Sequence, residues 1–238
     1  MNDQGNNAGK NEQIQVECFT LGPFETNCYV ITTGNSAGGA GQTHPDCWIV
    51  DASFEPAPII DFIAKHKLHP TALILTHAHV DHIAGATELV AAFSNHTTHS
   101  PLPVWVHEAE AVWLNDPVLN LSALGGIAVT SPGPDRILMG GETLQLGSET
   151  PWDVLHTPGH SPGGITLYNP GAGLALVGDT LFAGSVGRSD FPGSDQGTLF
   201  ESIRTKLYTL PEATRIYPGH GPASTIGRER KHNPYVRG

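Results

Sequence analysis

The chain has 238 residues, of which 39% are hydrophobic, enough to bury one substantial core. Twelve Lys and Arg against 23 Asp and Glu give a formal net charge of −11, with Arg228 to Lys231 the one local concentration of positive charge. That balance argues against a nucleic-acid backbone as partner, and no apolar run is long enough to cross a bilayer.

Met1 to Asn11 is polar and rich in glycine and asparagine, without the apolar segment of a signal peptide. Residues 1–13 therefore read as a disordered leader, residues 14–238 as one domain, and the protein as cytoplasmic. Cys18, Cys28 and Cys47 are odd in number, lie on or beside apolar segments and show no Cys-x-x-Cys spacing. They read as buried thiols rather than as a Cys18–Cys28 disulfide.

Ile14 to Thr20 and Asn27 to Thr32 are strand-like runs joined across a Gly22-Pro23 turn, which predicts a hairpin. From Gly34 to Asp46 the composition falls to Gly, Ala, Ser and Asn, a flexible insert ahead of a strand at Cys47 to Val50. Asp51 ends that strand. Pro58 to Lys67 is a helix with Ile59, Ile60 and Ile63 on one side. Thr71 to Leu75 is a buried-type strand and Ile83 to Phe93 a helix, with a polar cluster between them. His96 and His99 fall in a polar loop with no strand end or carboxylate to hold them, so they are set aside as ligands.

Val104 to Val106 is a strand and Glu108 to Leu114 a short helix, and His107 between them reads as a structural or rim histidine. Residues 120–136, with Gly125-Gly126 and Ser131-Pro132-Gly133-Pro134, read as an irregular excursion over the rim of the site. Thr143 to Leu146, Trp152 to His156, Ile165 to Tyr168 and Leu174 to Val177 are strands separated by Gly and Pro turns. Thr198 to Tyr208 has helical spacing, and Arg215 to Tyr217 is a closing strand. Two strand-rich halves with helices outside them predict an α+β fold, a four-layer αββα sandwich.

The cluster between strand and helix, Thr76-His77-Ala78-His79-Val80-Asp81-His82, holds three imidazoles and a carboxylate within six residues. In extended chain leaving a strand, His77 and His79 point the same way and suit one metal ion. Asp81 and His82, at the helix start, suit a second ion close by. One loop thus supplies half of a two-metal site.

The segment resembles the His-x-His-x-Asp-His signature of the metallo-β-lactamase superfamily, and later segments match in order. Thr157-Pro158-Gly159-His160 resembles its third-histidine loop, Val177-Gly178-Asp179-Thr180 its bridging-aspartate loop, and Tyr217-Pro218-Gly219-His220 its last-histidine loop. The resemblance implies that His77, His79 and His160 hold one metal, that Asp81, His82 and His220 hold the other, and that Asp179 bridges them. Asp51 resembles a buried aspartate that supports the metal loop, its alternative being a cap or turn. Two zinc ions are the first expectation, and iron or manganese suit the same donors. Such a pair acidifies a bridging water, whose hydroxide attacks a carbonyl, with Asp81 and Asp179 as the catalytic carboxylates. A thiolate leaves readily, so a small-molecule thioester fits.

Gly178 to Gly193, with Gly187-Arg188-Ser189-Asp190-Phe191, resembles the short glyoxalase II-like (hydroxyacylglutathione hydrolase-like) branch of that superfamily, as does the C-terminal stretch through Asn233-Pro234-Tyr235. Arg188 falls near a basic residue that contacts glutathione in longer members, its alternative being an ion pair with Asp190 or Asp195. Only 18 residues follow His220, where full-length glyoxalase II enzymes carry a helical domain with glutathione contacts. A persulfide dioxygenase using one iron, or a lactonase, are the alternative activities. Nothing in the sequence specifies an oligomeric state.

Overall fold

The computed structural model describes residues 14–33, 44–94, 101–147 and 151–238. The expected leader, residues 34–43 of the expected insert, and the loop carrying His96 and His99 lie outside them. The predicted hairpin is present: β1 (Ile14–Leu21) pairs antiparallel with β2 (Thr26–Thr33) in a register from Ile14 opposite Thr33 to Leu21 opposite Thr26. Next to β2 runs β3 (Asp46–Val50), antiparallel to it, and α1 (Ala57–His66) crosses to β4 (His69–Ile74), parallel to β3. After β4 come α2 (Val80–Ile83) and α3 (Ala86–Phe93), then β5 (Val104–His107), two 3-10 turns (Glu108–Asn115 and Ser122–Gly125) and β6 (Arg136–Leu138). The strands form one sheet in order β1-β2-β3-β4-β5-β6.

The second half begins with β7 (Thr143–Gln145), β8 (Pro151–His156), β9 (Ile165–Asn169) and β10 (Leu174–Gly178), all as read from the sequence. A small hairpin follows, β11 (Leu181–Phe182) with β12 (Ser185–Val186), then α4 (Gln196–Ser202), which widens into a π turn at Ile203–Leu207. The chain closes with β13 (Arg215–Pro218), β14 (Ser224–Thr225) and α5 (Ile226–His232). The second sheet runs β14-β13-β10-β9-β8-β7.

Strand alternation sorts the core into layers, because successive side chains leave opposite faces. In the first sheet Tyr29, Ile31, Trp48, Val50, Ala72 and Ile74 point inward, where they meet Leu144, Trp152, Val154, Leu167 and Leu176 of the second sheet. Trp48 and Trp152 touch edge to face, with ring centroids 5.8 Å apart. Alternate residues Val30, Ile49 and Leu73 point outward against Ile59 and Ile63 of α1 and Leu89 and Phe93 of α3. On the other side Ala175, Val177 and Ile216 face Leu199 of α4, Leu207, and Ile226 of α5. The layers are helix, sheet, sheet, helix, the αββα sandwich expected.

Three readings need correction. The helix expected over Ile83 to Phe93 is two helices that meet at Ala84 and Gly85, because Gly85 lies against the backbone after β3. Its N–H donates to Ala52 O at 2.9 Å, and a Cβ there would collide with Ser53 O. The excursion over residues 120–136 contains a 3-10 turn and ends in the edge strand β6, which pairs parallel with β5. Cys18 is exposed, since β1 is an edge strand, while Cys28 and Cys47 are buried. Cys18 stands opposite Tyr29 and Cys28 opposite Phe19, so no disulfide forms and all three thiols are free.

Candidate metal centre

The motif residues gather where strands end. His77 and His79 follow β4, His160 follows β8, Asp179 follows β10 and His220 follows β13. The loop after β4 is anchored at its first residue: Thr76 donates its N–H to Asp51 Oδ1 at 2.7 Å and its hydroxyl to Asp51 Oδ2 at 2.8 Å. Asp51 holds this position in a left-handed backbone conformation, φ 63°, which aspartate tolerates better than most residues. Two further bonds fix the loop. Val80 donates its N–H to Asn120 O at 2.8 Å, and Ala78 donates its N–H to Glu110 Oε2.

Within the first group, His160 Nε2 lies 2.9 Å from His79 Nδ1 and 3.2 Å from His77 Nε2. A zinc ion with Zn–N distances of 2.0–2.1 Å sets tetrahedral donors about 3.3 Å apart, so three nitrogens at this spacing match one ion. In the second group, Asp81 Oδ2 lies 3.4 Å from His82 Nε2 and 3.2 Å from His220 Nε2. Asp179 joins the groups: its Oδ2 is 3.5 Å from His160 Nε2 and 3.4 Å from His220 Nε2, and its Oδ1 is 3.5 Å from His82 Nε2.

The imidazole tautomers follow from oxygens that can only accept. His82 donates Nδ1–H to Asp51 Oδ2 at 2.9 Å, His160 to Arg188 O at 2.8 Å, and His220 to Phe24 O at 3.1 Å. Each therefore turns its Nε2 toward the cluster, where it can ligate a metal once it carries no proton. His82 Nε2 and Asp179 Oδ1 are buried without a hydrogen-bond partner, which is costly unless a cation completes them. Gly219 lets the loops close: a Cβ there would collide with Asp179 Oδ1 and come within 2.8 Å of His82 Cε1. The donor set therefore fits divalent metal.

Charge at the centre is divided. Burial, then His82 and His79, push His77 well below its ordinary value, and burial, then His160, take His79 down to about 3. For His82 the burial penalty is outweighed by Asp81, Asp51 and Asp179, which raise it well above its ordinary value. His220 rises to about 10, because hydrogen bonds to Asp179 and Asp81 overcome burial. Against burial, His82 and His220 hold Asp81 down at about 2 and keep Asp179 well below the carboxylate range. Without a metal, the two carboxylates thus favour the protonated forms of His82 and His220.

A cleft of about 470 Å³ opens over the cluster. His79, Asp81, His160, Asp179 and His220 form its floor, and Phe24, Val80, Leu121, Leu124, Gly125, Phe182, Arg188 and Phe191 wall it. The 120–136 segment thus does reach the rim, through its first residues. Arg188 takes the ion-pair alternative: Nε and a terminal nitrogen each donate to Asp190 at 2.9 Å.

The superfamily description "Metallo-beta-lactamase superfamily" matches residues 21–220, from the end of β1 to the last cluster histidine. The chain belongs to the metallo-beta-lactamase superfamily. It is 37% identical over 221 residues to a probable metallo-hydrolase of Bacillus subtilis, YqgX, with 92% of this chain and 95% of that one covered. To the hydroxyacylglutathione hydrolase GloC of Haemophilus influenzae it is 31% identical over 225 residues, covering 94% and 98%. Among solved structures, the B3 metallo-beta-lactamase BLEG-1 superposes with a TM-score of 0.84 at 36% identity, covering 94% and 100%. TTHA1623, solved in a di-iron-bound form, superposes at 0.74 with 36% identity, covering 93% and 100%. The chain is thus a metallo-hydrolase of this superfamily. No helix among the described residues is long and apolar enough to cross a membrane.

All seven motif residues and Asp51 come together, while His107 stands apart, stacked on His156 with ring centroids 4.0 Å apart. Two contributors carry no mark in the sequence. Thr26, on β2, donates its hydroxyl to Asp81 Oδ2 at 2.9 Å. Glu110, fully buried, accepts from Ala78 N and, at 2.6 Å, from Gly163 N, and so ties the His77–His79 loop to the His160 loop.

Proposed function

We propose that the chain hydrolyses thioesters, those of the S-2-hydroxyacylglutathione type among them, with two divalent ions at the cluster, zinc first and iron or manganese by the same donors. His77, His79 and His160 would hold one ion, Asp81, His82 and His220 the other, and Asp179 would serve both. One observation carries this: the donor atoms of each histidine-containing set lie within 4.8 Å of one another, with an oxygen of Asp179 near both sets. The extent of the similarity to GloC supports the thioester, and di-iron TTHA1623 keeps iron in play.

Ions held there acidify water and polarise a carbonyl oxygen. The chain's own residues supply the rest. Asp51 orients His82 and anchors the loop at Thr76. Thr26 orients Asp81, which with Asp179 stands ionised on the cleft floor. Phe24, Phe182 and Phe191 give the cleft apolar walls. The assembled Asp81–His82–His220 set favours this reading over a one-iron dioxygenase, which has no need of it.

The test is thiol release from S-D-lactoylglutathione by zinc-reconstituted protein beside a chelator-stripped control. Release is expected only with metal, and equal rates in the two samples would refute the assignment. No release in either sample directs attention to oxygen consumption with glutathione persulfide by iron-loaded protein, and then to lactones.

Metal loading should also release protons. The neighbouring carboxylates raise His82 well above its ordinary value and His220 to about 10 in the metal-free protein, and a proton on either must leave before it ligates, so release approaching two protons is expected per second-group ion. Raised pKa values mean that affinity at this group climbs as pH rises through neutrality toward the His220 value. Zinc titration calorimetry at pH 7 in buffers of different ionisation enthalpy should give a slope near two; a slope near zero contradicts the assigned charge states.

A further inference from the structure

Around the cluster, the cleft walls are apolar, with Phe24, Leu121, Leu124, Phe182 and Phe191 joined, among the described residues, by a single basic residue, Arg188. Arg188 is already matched: two of its nitrogens lie 2.9 Å from Asp190 oxygens, and its guanidinium lies 4.1 Å from the Phe191 ring centroid. So exposed a pair holds weakly, yet a carboxylate that recruits Arg188 must displace Asp190 and leave a second negative charge at the mouth. The chain's net charge of −11 adds to that repulsion. At the rim, Phe24 and Leu124 are 56% and 74% exposed, large apolar side chains kept in water beside a site. Such a patch marks a surface that receives apolar ligand.

Resting on the thioester-hydrolase reading, we infer that, among the thioesters the site accepts, it prefers one joining an apolar acyl group to a small uncharged thiol over its glutathione counterpart. The acyl chain lies against Phe24, Leu121 and Leu124. Among the described residues of these walls, a thiol half bearing carboxylates, as glutathione does, finds no unpaired cation. The reaction is hydrolysis: the water oxygen bonds to the acyl carbon, the C–S bond breaks, and the sulfur leaves as thiolate and takes up a proton. A carboxylic acid and a free thiol result.

The experiment compares kcat/KM of zinc-loaded protein for S-hexanoyl-N-acetylcysteamine and S-hexanoylglutathione, which share the acyl group and differ in the thiol. The neutral ester is expected to lead by about tenfold or more, the scale of one unfavourable charge. Along an acetyl-to-hexanoyl series on the neutral thiol, kcat/KM should rise about fourfold per methylene, the transfer value of a buried CH2. Leu124→Lys, at an exposed position, should shift the ratio toward glutathione by about tenfold. A glutathione ester that matches or beats the neutral one, or a flat acyl series, overturns the inference.

Turnover of neither ester would defeat the hydrolase reading instead, and binding then decides this one. Calorimetry with S-hexyl-N-acetylcysteamine and S-hexylglutathione, which cannot be hydrolysed, should still show the neutral thioether about tenfold tighter. Equal or reversed affinities overturn it.

Discussion

Asp179→Asn should reduce metal-dependent kcat/KM by about a thousandfold or more, the scale on which one essential electrostatic group is lost, with the far-ultraviolet spectrum unchanged. The substitution keeps the shape and removes the charge. Asp179 has oxygens near both sets, Oδ2 at 3.5 Å from His160 and 3.4 Å from His220, Oδ1 at 3.5 Å from His82. An amide puts an NH2 group toward at least one imidazole nitrogen that needs an acceptor or a metal. Gly219 leaves no room for the side chain to turn away, since the backbone there closes on Oδ1. Metal content of the purified variant, measured by atomic absorption, should fall together with activity. Wild-type rates in Asp179→Asn would remove this residue from the chemistry and, with it, the two-metal reading.

The parts of the site that the sequence disclosed are those in which chemistry and local geometry share a few residues. His77, His79, Asp81 and His82 sit where a buried strand meets a helix, and period-two alternation aims the first pair together before any tertiary contact is known. Asp179 and His220 could be placed only by resemblance, because nothing in their own surroundings announces a ligand. Arg188 carried two readings of similar weight; its partner proved to be Asp190, two residues on, within reach of an extended loop. What escaped depends on long-range packing. Cys18 looked buried because it lies in an apolar run, yet whether a strand face is covered depends on which strand is the sheet's edge. The break at Gly85 comes from Ser53, 32 residues earlier, and a helical pattern cannot register it. The β6 strand spans Arg136–Leu138 just beyond a Pro-Gly-Pro stretch, too short for alternation to show, and exists because β5 offers an edge.

Glu110 escaped for the same reason, and it carries the other large expected effect. Glu108 and Glu110 are alike in sequence, two acids in one short turn, but only Glu110 is fully buried. Its burial pushes the carboxyl pKa up while the hydrogen bonds it accepts draw it back. Glu110→Ala leaves the N–H groups of Ala78 and Gly163 without partners inside the protein, and each such group costs about 1–3 kcal/mol. The sum, with the lost packing, should reach about 3–5 kcal/mol in urea denaturation. Glu110→Gln is not a faithful replacement, because its amide can accept from one of these N–H groups but turns an NH2 toward the other.

The effect on metal should be selective. Glu110 ties the loop bearing His77 and His79 to the loop bearing His160, and touches neither Asp81 nor His220. Zinc affinity at the first group should therefore fall about 10- to 100-fold in Glu110→Gln, as when a ligand's supporting partner is lost, while the proton release assigned to His82 and His220 persists. Chelator competition alongside calorimetry separates the two groups. Lost stability with unchanged zinc affinity would make Glu110 a core residue only, since a carboxylate that merely filled space could be removed without moving three imidazoles apart.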